Sequence, residues 1–192
     1  MEKVLYLVRH GQTLFNVQHK IQGWCDSPLT DLGIEQAKRV KNYFDSYDIC
    51  FDHAYSSTSE RCCDTIQIIT DMPYKRLKGL KEFNFGVFEG KDECLNPPLP
   101  YNDFFKQFAG ESQAEVQQRM VDTLTAIMSK EDHHVVLAVS HGGACANFIR
   151  AFEKSNVINY RKGIKNCTIF KIMYNGNDFS LVEIIEEHLE GL

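Results

Sequence analysis

The chain has 192 residues, 43% of them hydrophobic and 24% charged, with a net charge of −5 from 21 basic and 26 acidic side chains. A chain of this length buries roughly 70% of the surface its unfolded form exposes, enough for one domain with a real core, and wholesale disorder is excluded. The acidic balance opposes approach to nucleic acid or anionic lipid, so neither is an expected partner; a local cluster of Arg and His can still receive a small anion.

After Met1-Glu2-Lys3 comes the apolar run Val4 to Val8, too short for a signal peptide or a membrane span and suited to a strand buried on both faces. Thr30 to Phe44 carries a helical stripe through Leu32, Ala37, Val40 and Phe44, with Thr30 or Asp31 placed to cap it. A second strand is expected at Phe51 to Tyr55 and a second helix at Ser59 to Ile69. The breaker cluster Asn96-Pro97-Pro98-Leu99-Pro100 bends a subdomain. Glu111 to Met128 reads as an amphipathic helix, Val135 to Val139 as another buried strand, and Gly142 to Phe152 as a helix. Cys167 to Tyr174 and Phe179 to Ile185 form a hairpin about Asn175-Gly176-Asn177. Strands alternating with helices predict an α/β fold, a three-layer sandwich. Its central sheet is mostly parallel with one antiparallel strand, and helices cover both faces.

The seven cysteines include no C-x-x-C pair, and Cys62 and Cys63 are adjacent. That pattern fits neither a disulfide framework nor a zinc knuckle, so reduced thiols in a cytoplasm are expected. His133-His134 has no partner at ligand spacing and reads as a turn, so no metal site is expected.

In an open α/β sheet, ligands bind beyond the carboxyl ends of the strands. The first strand runs into Arg9-His10-Gly11, and the strand at 135–139 runs into Ser140-His141-Gly142-Gly143. The strand at 51–55 is followed by Ser56-Ser57-Thr58-Ser59 and then Arg61 in the first turn of its helix. Two histidines and two arginines thus meet one landmark, each histidine is followed by glycine, and helix N-termini offer free N–H groups. These features together describe a site for a phosphate-sized anion.

These residues also form an ordered set of motifs. Arg9-His10-Gly11-Gln12-Thr13 with Asn16, Gln22-Gly23-Trp24-Cys25-Asp26-Ser27-Pro28-Leu29-Thr30, Ser56-Ser57 with Arg61, Leu80-Lys81-Glu82-Phe83-Asn84-Phe85-Gly86-Val87-Phe88-Glu89-Gly90 and Val139-Ser140-His141-Gly142-Gly143 together resemble the histidine phosphatase (phosphoglycerate mutase-like) superfamily. The resemblance spans residues 4 to about 150 and implies a single domain over 1–192 with a small helical cap inserted around 83–130. It implies His10 as the nucleophile that becomes a phosphohistidine, with Arg9, Arg61 and His141 around the phosphoryl oxygens. Glu82 would be the general acid, ahead of Glu89 and Asp92, and Asn16, Gln22, Gly23 and Gly142 would bind substrate. Neither a metal nor a cofactor is required, because cationic side chains take the charge-neutralising role.

The expected activity is hydrolysis of a small phosphate monoester. The alternatives are a cofactor-dependent phosphoglycerate mutase and an inactive binding protein of the same fold. A mutase needs basic residues for a bisphosphate, yet residues 83–129 hold only Lys91, Lys106 and Arg119 against seven carboxylates. A sugar bisphosphate would instead need Arg150, Lys154, Arg161, Lys162 or Lys165 to reach the pocket. The aromatic residues Phe83, Phe85, Phe88, Tyr101, Phe104, Phe105 and Phe108 are expected to pack the cap, with part of them free to wall the pocket. Nothing in the sequence specifies an oligomeric state.

Overall fold

Four central strands of alternating side-chain orientation divide the interior into two cores. In the computed structural model, which describes residues 2–158 and 163–192, Leu5 and Leu7 of β1 (Lys3–Arg9) face one side while Tyr6 and Val8 face the other. Val136 and Ala138 of β4 (Val135–Ser140) likewise oppose Leu137 and Val139. A strand with every side chain buried must be covered twice, and it is. Helices α4 (Gln113–Met128) and α5 (Gly142–Ala151) cover the first face; α2 (Asp31–Ser46) and α3 (Glu60–Ile69) cover the second, and the single turn α1 (Leu14–Val17) follows β1.

The remaining strands are β2 (His53–Ser57), β3 (Tyr74–Leu77), β5 (Ile169–Tyr174) and β6 (Phe179–Ile185), and the sheet order is β3-β2-β4-β1-β5-β6. Only β5 runs against its neighbours β1 and β6; the other pairings are parallel. This is the predicted α/β sandwich with one antiparallel strand.

Several boundaries move for identifiable reasons. The strand expected at 51–55 is His53–Ser57, and its register extends it to the two serines that precede α3. Strand β3 has no counterpart in the sequence reading: it is an edge strand with Lys75 and Arg76 exposed, so it shows no buried apolar pattern. Cys167 has φ +60° and lies outside the ladder, so β5 begins at Ile169. Thr30 does cap α2, accepting from the Gly33 N–H at 3.0 Å. Leu32 is 36% exposed, and Gly33 takes the buried place in that first turn. Helix α4 starts at Gln113 rather than Glu111, because Ser112 and Glu115 form a reciprocal capping box.

Between β3 and α4 the chain forms short 3₁₀ turns at Gly86–Phe88, Glu93–Leu95 and Phe105–Phe108. Phe83, Phe105 and Val116 form a small core there, joined by Phe85, Phe88, Tyr101 and Phe104. This segment, where a helical cap was expected, is thus built of single turns around rings packed mostly edge to face. Helix α4 sends Val116 into this cluster, and Met120, Leu124, Ile127 and Met128 into the sheet.

Candidate active site

The register of β1 on β4 creates the site. Arg9 pairs with Ser140, so the two strands end level, and the His10 N–H donates to the Ser140 carbonyl at 3.0 Å. His10 and His141 therefore meet edge to face with ring centroids 5.3 Å apart. The neighbouring strand β2 ends at Ser57, whose hydroxyl lies 2.8 Å from His141 Nε2.

Hydrogen bonding fixes the tautomers of both rings. His10 Nδ1 lies 2.7 Å from the Gly11 carbonyl, which can only accept, so Nδ1 carries the proton and Nε2 keeps its lone pair. Burial, followed by the charges of Arg61 and Arg9, holds His10 neutral well below the usual imidazole value of 6.5. His141 Nδ1 accepts from Arg61 Nη2 at 2.8 Å, so its Nε2 donates to Ser57. Burial is again the largest influence lowering its pKa, ahead of Arg61 and His10.

A cavity of about 570 Å³ lies beyond these strand ends. Arg9, His10, Asn16, Gln22, Glu82, Gly142 and Gly143 are among the residues that line it. Arg61, His141 and Gly23, also expected at the site, do not line it. Arg61 is wholly buried: Nη1 donates to the Cys25 carbonyl and Asp26, and Nη2 to the Gly23 carbonyl and His141, all within 2.9 Å. Its Nε and that of Arg9 are buried without a hydrogen-bond partner among the described residues. A buried guanidinium N–H left unpaired is costly, which is the expected cost of holding donors in place for an anion.

Glu82 is 7% exposed and belongs to a segment without regular structure. Its Oε1 accepts from the Phe83 and Ala144 N–H groups at 2.8 and 2.7 Å, and Oε2 from Gly143 at 2.8 Å. The carboxylate thereby satisfies the first turn of α5, whose own N-cap, His141, makes no side-chain cap. A Cβ on Gly143 would lie 2.8 Å from Glu82 Oε1, so glycine is required for this approach.

Glu89, its competitor in sequence, does something different. It accepts from the N–H groups of Gly23, Trp24, Cys25 and Phe85 at 2.8–3.1 Å, and it clamps the 23–25 loop outside the cavity. A side chain on Gly23 would collide with the Phe83 carbonyl at 2.2 Å, so this glycine serves loop packing. Gln22 lines the cavity while bonded to Thr13 and Ser27. Asn166 was not anticipated: its Nδ2 donates to the His10 carbonyl and to Asn16 Oδ1, both at 3.1 Å. Being far from every motif in sequence, it carries no local signal.

The lining also combines Ile21, Phe83, Phe85, Leu99, Tyr101 and Ile164 with Lys20, Glu93, Gln113, Asn147 and Arg150. Three rings of the aromatic cluster thus serve both the cap core and the pocket wall. Of the basic residues considered for a bisphosphate, Arg150 reaches the cavity. Lys154 and Lys165 do not line it, and Arg161 and Lys162 lie outside the described residues.

The sequence gives His133 no ligand partner, but the fold supplies two. His53, Asp132 and His133 bring their ligand atoms within 4.8 Å at the opposite end of the sheet, a set able to hold a metal ion. Asp132 lies 2.9 Å from His53 Nε2 and 2.7 Å from His133 Nδ1, so the three already satisfy one another. The two rings stack at 3.7 Å and 15°, and an ion in the plane of both would require them to splay. Among the described residues no helix is long and apolar enough to cross a membrane, and the seven cysteines are free thiols.

Residues 5–187 match the histidine phosphatase superfamily (branch 1). A curated relative from Proteus mirabilis, named probable phosphoglycerate mutase GpmB, is 31% identical over 186 residues, covering 90% of this chain and 86% of that protein. The fold is similar to a crystal structure of phosphoglycerate mutase from Bacillus anthracis, with a TM-score of 0.83 and 25% identity over 98% of this chain and 94% of that one. It is also similar to phosphoserine phosphatase from Entamoeba histolytica, solved with 3-phosphoglyceric acid, with a TM-score of 0.77 and 27% identity over 97% and 99% of the two chains. The chain belongs to the histidine phosphatase superfamily.

Proposed function

We propose that the protein is a phosphomonoester hydrolase that works through a phosphohistidine at His10. The observation that carries this reading is the protonation geometry: a buried, neutral His10 whose proton is committed to Gly11, in the same cavity as the carboxylate of Glu82. His10 Nε2 attacks phosphorus and the ester P–O bond breaks. Glu82 enters this step as the carboxylic acid, its proton on Oε2, which has one N–H donor against two on Oε1; the leaving oxygen takes that proton and Glu82 is left as the carboxylate. Water then attacks phosphorus while Glu82 takes its proton, the P–Nε2 bond breaks, and phosphate leaves with His10 and the acid form of Glu82 restored.

Arg9, Asn16 and the Gly142 backbone are assigned to the phosphoryl oxygens from their places in the lining. Arg61 and His141 are assigned to the same oxygens, as the family resemblance implies, with the partnerless Nε of Arg61 as a donor for them. In this reading the cationic side chains carry the charge-neutralising role, and neither metal nor cofactor takes part.

Hydrolysis is favoured over a mutase reaction by what occupies the three cap cations. Lys106 is paired with Glu115 at 2.6 Å, Lys91 lies over the Phe88 ring, and Arg119 is bound to Glu111 and backbone carbonyls. None of them lines the cavity, so the cap provides no basic clamp for a second phosphate. A small phosphorylated metabolite in aqueous solution is the substrate class that follows, with a cytoplasmic setting in keeping with the free thiols.

The test is turnover of an aryl phosphate in the presence of a chelator by the parent protein and by His10→Ala. Chelator-resistant turnover, lost by a factor of at least ~10³ in the variant, supports the reading. Phosphate exchange between two phosphoglycerates without net release of phosphate would establish the mutase instead.

A further inference from the structure

We propose that Arg119, a residue of α4 outside the cavity, is a positioning residue for Glu82, with Glu111 as its partner. The inference rests on the reading of Glu82 as the proton donor and goes beyond it to what holds that donor in place. Residues 81–85 have neither helix nor strand to fix them, so their backbone groups need partners elsewhere.

Arg119 supplies them. Its Nη1 donates to the carbonyls of Gly79 and Lys81, each at 2.9 Å, and Nη2 donates to the Glu82 carbonyl at 3.2 Å. Nε and Nη2 also take the two oxygens of Glu111 side-on, both at 2.9 Å. All five guanidinium N–H groups are thereby used, three of them on the chain that carries Glu82. Glu111 completes the frame by accepting from the Asn84 N–H at 2.9 Å, and Trp24 Nε1 donates to the same Glu82 carbonyl at 3.0 Å.

Glu82 is therefore held at two ends. Helix α5 fixes its carboxylate, and Arg119 fixes its backbone from the other side. Lysine cannot replace this arrangement, because its three donors radiate from one atom and lack the planar fork. Loss of Arg119 frees the carbonyls of Gly79 and Lys81, leaves that of Glu82 with Trp24 alone, and lets the carboxyl group drift relative to His10. The reacting phosphorus is not touched, so the defect falls on proton delivery.

Leaving-group dependence separates such a defect from general damage. An alkyl alcohol must be protonated as it leaves, whereas 4-nitrophenolate leaves unaided. The parameter to compare is kcat/KM, which ends at release of the alcohol and excludes the later hydrolysis of the phosphohistidine. Arg119→Gln is expected to lower kcat/KM for an alkyl phosphate by about 10²-fold and for 4-nitrophenyl phosphate by less than about tenfold. Glu111→Gln, which keeps one acceptor oxygen, sets an NH2 against the donors at the other and removes the charge, should show the same split, and it serves if Arg119→Gln does not fold. Glu82→Gln is the reference. If Glu82→Gln shows the split and both frame variants lose the two activities equally, the positioning role is overturned. If Glu82→Gln itself shows no split, the assignment of Glu82 as acid fails and the inference falls with it.

Discussion

One methyl group added at Gly143 probes the link between helix geometry and catalysis. The new Cβ would lie 2.8 Å from Glu82 Oε1, against 3.4 Å for the nearest ordinary contact, so the carboxylate must retreat by about 0.6 Å. Its two Oε1 hydrogen bonds, at 2.8 and 2.7 Å, resist that retreat. Stretching them costs about 1–2 kcal/mol, while alanine in the first turn of α5 favours the helix by about 0.5–1 kcal/mol over glycine. Net stability should change by no more than about 1 kcal/mol. Activity responds differently, because a displacement approaching 1 Å at a catalytic group costs up to ~10²-fold. Gly143→Ala is thus expected to keep its urea midpoint within a small shift while kcat on an alkyl phosphate falls by about 10- to 100-fold. A folded variant with kcat within about threefold of the parent would refute the claim that the position of Glu82 matters.

Two further outcomes follow from the buried charges. His10 and His141 are neutral in the fold with pKa values well below 6.5, whereas in the unfolded chain they titrate near 6.5, so below that pH the unfolded state binds more protons. Stability from this pair is complete above about pH 6.5 and is lost as pH falls toward the folded values, at up to about 1.4 kcal/mol per pH unit for each ring. Urea titrations from pH 7 to pH 5 should show that slope, and His10→Ala should remove about half of it; a flat profile would contradict the assigned neutral state. Arg61→Lys retains the charge but leaves some of the four acceptors at Gly23, Cys25, Asp26 and His141 without a donor. A loss of about 2–5 kcal/mol in unfolding free energy is expected, and a stability equal to the parent's would show that the fork geometry is dispensable.

The sheet was legible because its strands are fully buried: Val4–Val8 and Val135–Val139 have no polar face, so their pattern survives any neighbour. Strand β3 was hidden for the converse reason, since an edge strand exposes Lys75 and Arg76 and its pairing is a property of β2. His10 and His141 follow strand ends as the sequence suggests, but that their rings meet depends on the β1–β4 register, which no local pattern states. Asn166 and Arg119 lie 156 and 37 residues from the His10 and Glu82 carbonyls they bond, and no local spacing connects such partners.

Glu82 and Glu89 show most clearly where sequence reading stops. Both are carboxylates on one irregular segment, seven residues apart, and each is held by backbone N–H groups. Their chemistry in isolation is identical. The difference lies in which amides hold them. Glu89 takes those of the 23–25 loop and Phe85, uses its carboxylate to fold that loop, and lies outside the cavity lining. Glu82 takes those of α5, and the turn that provides them follows directly on His141 and its glycines. The helix that follows β4 therefore orients the carboxylate from the turn beside His141, while His10 follows β1. The backbone of Glu82 is held separately, through the 79–84 chain that Arg119 and Glu111 brace, so the carboxyl group reaches its place only when both supports agree.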